Sequence, residues 1–285
     1  MRVLVTGHKG QLGRQLMEAF QDQAVCGLDL PEHDICAYPQ IVQEICSREP
    51  ELVIHAAAYT DVDGCALNPD LAYTVNGLGT QHVALACAKL GVPIVYISTN
   101  EVFDGESRRP YLETDAPRPI NPYGYSKWMG EQFVRELVPW HYIVRISWLF
   151  SPGGNNFPAK ILRAAKEGRP LAVVVDEVGS PTYAPDLARA LVELVSSKRF
   201  GTYHLVNEGV CSRYEFARAT LDGAGLAGVP IRPMLLRDYE RPSRPPLYSP
   251  LRNFAAATAL GIRLRPWQEA LAEYLGRTGD GLAAS

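Results

Sequence analysis

Short, nearly unbroken apolar runs punctuate the first half of the chain, and a stretch with helical spacing follows most of them. The runs Arg2 to Thr6, Ala24 to Leu28, Glu51 to His55, Val92 to Ser98 and His141 to Ser147 predict strands. Runs that stay apolar instead of alternating belong to strands covered on both faces. The intervening spacing predicts helices over Leu12 to Phe20, Pro39 to Cys46, Asp70 to Leu90 and Pro122 to Leu137. In the last of these, Met129, Phe133 and Leu137 recur at fourfold spacing and form a stripe for the core. Strand and helix alternating in this way require right-handed crossovers and a parallel sheet. The expected fold class is α/β, a doubly wound parallel Rossmann sheet.

The texture changes after Trp148, where Pro, Gly and Arg become frequent, as in Ser151 to Asn156 and Arg241 to Pro250. Even so, Leu171 to Val175 and Thr202 to Val206 again predict strands, and Pro185 to Ser197 predicts a helix. We therefore expect a dinucleotide-binding domain over residues 1–150, with elements near 171–206 returning to it. Residues 151–285 would form mainly a smaller, interleaved lobe that binds substrate. Without a clean linker, a cleft between lobes is expected. No internal repeat or low-complexity tract is visible.

Composition narrows the function classes. A chain of 285 residues with 47% hydrophobic content and a net charge of -3 suits a globular protein. The slightly acidic balance argues against nucleic acid or an anionic membrane as partner. No apolar run approaches the roughly 18 to 20 residues of a membrane span, and the N-terminal stretch does not read as a secretory signal. None of the six cysteines forms a Cys-x-x-Cys pair. Free thiols in a reducing cytoplasm are the expectation.

The first strand runs directly into Gly7, Gly10 and Gly13, spaced three apart, and a helix opens there. In that context the first glycine allows a tight turn and the second lets backbone approach a pyrophosphate. The third lets helix and strand pack closely, while free N–H groups at the helix start face the phosphates. Gln11 and Leu12 lie in the same turn. Asp29, 16 residues after Gly13, stands where an acid meets the adenosine ribose and favours NADH. Lys9 could reach a 2′-phosphate and favours NADPH, so both cofactors stay open. Ala56, Ala57 and Ala58 follow the third strand; small residues there suit a flat cofactor or plain tight packing.

Asn121 followed by Pro122 predicts a capped helix start. It places Tyr123 and Lys127 one turn apart on one face, 24 residues beyond Ser98 and Thr99 at a strand end. A free phenol has a pKa near 10; a nearby ammonium is expected to lower it. Tyr123 would then protonate a carbonyl oxygen during hydride transfer. Lys127 would orient the nicotinamide ribose and tune the phenol, and Thr99 would hydrogen-bond the same oxygen. Tyr125, the competing phenol, lies on a different helix face from Lys127.

These residues resemble the extended short-chain dehydrogenase/reductases and, within them, the dTDP-4-dehydrorhamnose reductases. The likeness spans nearly the whole chain. Its narrower motifs are Arg145-Ile146-Ser147-Trp148, Gly153-Gly154-Asn155-Asn156-Phe157 and Gly179-Ser180-Pro181-Thr182-Tyr183. The resemblance implies reduction, by NADPH or NADH, of a nucleotide-linked 4-keto-6-deoxysugar for polysaccharide biosynthesis. It implies catalysis by Thr99, Tyr123 and Lys127. Cofactor contacts would come from Gly10, Gln11, Leu12, Asp29, Asp34, Ile35, Ala58, Tyr59 and Thr60. Asn100 and Trp148 would contact the sugar nucleotide, and Asn155 and Asn156 join them as substrate-binding candidates. The chain departs from the family's Ser-Thr-Asp-Tyr at Asn100 and Glu101, losing one carboxylate and gaining another where an aromatic packs. Some relatives hold a divalent cation through clustered glutamates at a dimer interface; no such cluster is assigned here, and a homodimer is compatible with the reading. A non-catalytic cofactor-binding subunit, like the β subunit of methionine adenosyltransferase, and a nucleotide-sugar epimerase are the competing functions.

Overall fold

Alternate residues of the buried runs separate into two apolar layers. Val3, Val5, Leu52, Ile54, Val95 and Val144 pack on one side, and Leu4, Val53, Ile94, Tyr96 and Ile143 on the other. The computed structural model, which describes residues 1–280, joins these runs into one parallel sheet. Its strands are β1 (Arg2–Thr6), β2 (Ala24–Leu28), β3 (Leu52–His55), β4 (Ile94–Thr99), β5 (His141–Ile146) and β6 (Gly201–His204). Their order is β6-β5-β4-β3-β1-β2, so winding reverses between β1 and β3. Open α/β sheets bind ligands at that reversal, beyond the strands' carboxyl ends.

The helices in chain order are α1 (Gln11–Ala19), α2 (Gln40–Ser47), α3 (Val62–Leu67), α4 (Pro69–Ala72), α5 (Thr80–Leu90) and α6 (Pro122–Leu137). They continue as α7 (Phe157–Lys166), α8 (Ala184–Ser196), α9 (Arg213–Gly223), α10 (Phe254–Leu260) and α11 (Trp267–Asp280). Leu12 and Leu16 of α1, with Leu187 and Leu191 of α8, cover one sheet face. Ile41, Val83 and Val134 bring α2, α5 and α6 onto the other.

Two expectations are corrected. The single helix expected over Asp70 to Leu90 is α4, then a π-helical stretch Tyr73–Gly79, then α5. Glycines at 77 and 79 weaken the α-helical preference there, and a Cβ on Gly79 would lie 2.9 Å from Ile35. The strand Leu171–Val174 does not return to the main sheet; it pairs in parallel with Ile231–Met234. Val173 and Ile231 belong to a separate small core with Ile161, Ala217 and Leu221 from α7 and α9. Of the later elements, α8 and β6 do join the sheet domain. All six cysteines are free. Among the described residues no helix is long and apolar enough to cross a membrane, and no acidic, His or Cys cluster could hold a metal.

Candidate active site

A cavity of about 1000 Å³ opens at the carboxyl ends of β1, β3 and β4, between the sheet and the lobe. Every site residue expected from sequence lines it. Gly7, Gly10, Gln11, Leu12, Gly13, Asp29, Asp34 and Ile35 form one end, and Ala57, Ala58, Tyr59 and Thr60 a wall. Thr99, Asn100, Tyr123 and Lys127 lie beyond, with Trp148, Asn155 and Asn156 from the lobe.

At the first end the backbone has no room for side chains. Gly7 has φ +73°, and a Cβ there would lie 2.7 Å from the Ala57 Cα. A Cβ on Gly13 would lie 2.0 Å from the Gly7 carbonyl oxygen. Gly10 is the N-cap of α1 and offers no side-chain cap, so the first-turn N–H groups are left to face the cavity. Such a cradle fits a dinucleotide pyrophosphate. Asp29 is fixed at the end of β2, accepting from the Lys9 N–H at 2.8 Å and the Leu30 N–H at 2.8 Å. The Lys9 ammonium pairs with Glu32 at 2.7 Å.

Asn76 was not marked by the sequence pattern. The π-helical stretch turns its side chain inward, 1% exposed, and such stretches recur at functional sites. The Asn76 amide accepts from the Tyr59 N–H at 2.8 Å and donates to the Tyr59 carbonyl at 2.9 Å. It also donates to Ser126 Oγ at 2.9 Å, and that hydroxyl donates to the Tyr123 carbonyl at 2.8 Å. One buried amide thus ties the cofactor-side loop to α6.

Asn121 caps α6 by accepting from the Gly124 N–H at 2.8 Å. Lys127 is 3% exposed, with its Nζ 4.3 Å from the Tyr96 ring centroid. Burial pulls its pKa down to about 7, with the Glu131 carboxylate opposing. The phenol of Tyr123 is held above its ordinary value by burial and by Glu101, while the Thr99 hydroxyl pulls the other way. That corrects the expected lowering by Lys127. A lysine buried this deeply loses much of the charge that would favour a phenolate.

Below the site, burial pushes the Glu131 carboxyl up, but Arg145 more than offsets it and the carboxylate stays below its ordinary range. Arg145 donates to it at 2.9 and 2.8 Å, and Ser98 Oγ donates at 2.7 Å. This pair anchors the strand end that carries Thr99.

On the lobe side Trp148 has φ +45°, rare for a bulky residue, and its ring lies where a Cβ on Gly179 would come within 2.5 Å. The Arg213 guanidinium, also missed by sequence, stacks 3.7 Å from the Trp148 ring centroid and pairs with Glu177 at 2.9 Å. Asn100 donates to Ser249 Oγ at 2.7 Å, tying the end of β4 to the proline-rich segment. The Asn156 amide is taken up by protein groups: it caps α7 and donates to Ser151, Gly154 and Gln11. Asn155 is exposed at the rim.

Several of the proteins that this chain resembles are named dTDP-4-dehydrorhamnose reductase. A dTDP-4-dehydrorhamnose reductase of Mycobacterium tuberculosis is 40% identical over 96% of this chain and 92% of its own length. The spore coat polysaccharide biosynthesis protein SpsK of Bacillus subtilis is also 40% identical, over 96% of each chain. A crystal structure of dTDP-4-dehydrorhamnose reductase from Bacillus anthracis in complex with NADP matches with a TM-score of 0.94 at 38% identity, covering 97% of this chain and 99% of that one. A Streptomyces venezuelae dTDP-glucose 4,6-dehydratase with NAD bound, 20% identical, shares the fold with a TM-score of 0.86. The RmlD substrate binding domain family matches residues 1–279, and the chain belongs to that family.

Proposed function

We propose that this chain reduces the 4-keto group of a nucleotide-linked 6-deoxysugar, converting dTDP-4-dehydro-L-rhamnose to dTDP-L-rhamnose. The observation that carries this reading is one cavity with a glycine cradle at one end and Thr99, Tyr123 and Lys127 farther along. When bound, NADPH or NADH supplies the hydride. Gly7, Gly10 and Gly13 would hold its pyrophosphate, and Asp29 its adenosine ribose. Lys127 would hold the nicotinamide ribose. Tyr123 would donate its phenolic proton to the carbonyl oxygen, and the Thr99 hydroxyl would orient that oxygen. A phenol held above its ordinary pKa keeps its proton at neutral pH, as a donor must. Trp148 offers a flat apolar face to the deoxysugar.

The test is oxidation of NADPH, followed at 340 nm, with dTDP-4-dehydro-L-rhamnose. Tyr123→Phe is expected to cut turnover at least ~10²-fold, the usual loss with a positioned proton donor, and to leave cofactor affinity near wild type. A Tyr123→Phe enzyme with wild-type rate would refute the assignment. Tight NADPH binding with no turnover by the wild-type protein would refute the reductase reading.

A further inference from the structure

β4 ends at Thr99 in a single 3₁₀ turn, Asn100–Val102, which carries a carboxyl that the chemistry above leaves idle. Glu101 lines the same cavity as Tyr123 and Trp148. Asn121 Nδ2 donates to its Oε2 at 2.7 Å, while Asn121 Oδ1 caps the helix that bears the phenol. One asparagine therefore sets the distance between this carboxyl and the start of α6. Among the described residues no donor reaches Oε1, which is not sealed from solvent.

The charges around Glu101 leave it without a cation of its own. Arg213 faces it from α9 but pairs with Glu177 at 2.9 Å; Arg241 faces it from the proline-rich segment but pairs with Asp63 at 3.0 Å. Glu177, the Tyr123 phenol and the Cys65 thiol are its other titratable neighbours. Burial pushes the carboxyl up to about 7, and Glu177 adds to this against the Asn121 hydrogen bond and the two arginines. Glu101 has one oxygen fixed by Asn121, one oxygen open to the cavity and no cation left to share.

We propose that Glu101 is a specificity-determining residue at the substrate end of the cavity: held through Oε2 by Asn121, it donates a hydrogen bond from a protonated Oε1 to an oxygen of the sugar. The proposal rests on the reductase reading. As pH rises through about 7 the proton leaves, the donor is lost, and a new negative charge faces a substrate that already carries a diphosphate. Capture of the sugar nucleotide should therefore weaken with rising pH.

The experiment measures KM and kcat for dTDP-4-dehydro-L-rhamnose at saturating NADPH, from about pH 6 to about pH 9, in wild type, Glu101→Gln and Glu101→Ala. Losing one such hydrogen bond corresponds to about tenfold in affinity. Wild-type KM is expected to rise about tenfold across the range. Glu101→Gln keeps a donor that does not titrate, so its KM should stay low and flat. Glu101→Ala should show a KM raised about tenfold already at pH 6, with the effect falling on KM more than on kcat. Unchanged NADPH affinity in both variants shows that they fold. A Glu101→Gln profile matching wild type, or a Glu101→Ala KM at pH 6 equal to wild type, overturns the proposal and leaves the reductase reading standing. A wild-type protein that binds NADPH and never turns over the ketosugar overturns both.

Discussion

Replacing Lys127 with methionine should make the protein more stable and nearly inactive. The ammonium is 3% exposed and rests over the Tyr96 ring, and burial holds its pKa at about 7 against an ordinary 10.5. That gap corresponds to about 5 kcal/mol by which the fold disfavours the charged form. The sign follows from proton counting. Between these two values the unfolded chain binds more protons than the folded one, so stability rises with pH across this window. Below about pH 7 both states are charged and the penalty is complete; above about 10.5 it vanishes. Methionine keeps the unbranched stem and never titrates. It also forfeits the cation–π contact, worth about 1–2 kcal/mol, which leaves a net gain of about 3 kcal/mol at pH 6. For a chain of this size that is a rise in Tm of about 5 °C, and by pH 9 more than half of it should be gone. Thermal melts of both proteins at the two pH values decide the matter. A variant that melts below wild type at pH 6, or by a constant margin at both, refutes the account of Lys127.

Asn76→Ala should strand the Tyr59 N–H and carbonyl, whose partners now lie at 2.8 and 2.9 Å. Each stranded group costs about 1–3 kcal/mol; melting should fall by several degrees and NADPH affinity should weaken. A wild-type dissociation constant would show that this amide does not hold the cofactor wall. Gly13→Ala forces a Cβ against the Gly7 carbonyl at 2.0 Å and must open the turn. We expect at least about a tenfold loss of NADPH affinity with the far-ultraviolet spectrum preserved, and retained affinity would argue against the cradle.

The parts legible in the sequence are those whose physics is local. A glycine spacing after a strand and a tyrosine four residues before a lysine need no knowledge of the rest of the chain. The long-range groups were not legible for the opposite reason. Asn76 matters only because the π-helical stretch rotates it towards Tyr59 and Ser126. Arg213 matters because α9, opened by a capping box of Ser212 and Glu215, aims it at Trp148. That capping box was the one available signal, and it marks a helix start without naming what the helix serves. Leu171 to Val175 has the apolar character of a sheet strand, yet its partner strand, Ile231–Met234, lies 60 residues further along the chain. Local pattern gives strand character and cannot choose between partners.

The raised phenol and the lowered lysine make sense together once the substrate's own charge is counted. A phenol that ionised easily would lose its proton to water before reduction and have nothing to give. Burial and Glu101 prevent this by holding the Tyr123 proton in place. In the proposed mechanism the proton moves only when a stronger base forms beside it, and the oxygen of a reduced carbonyl would be such a base. Glu101 then has a second consequence. If it stays protonated when substrate is bound, its charge no longer holds the phenol up, and the phenol becomes a better acid at the moment it is needed. Glu101→Gln should copy this state at every pH, so the phenol gives up its proton more readily and the alkaline limb of kcat should set in at lower pH than in wild type. An alkaline limb of kcat that does not move in Glu101→Gln would sever the coupling between the two groups.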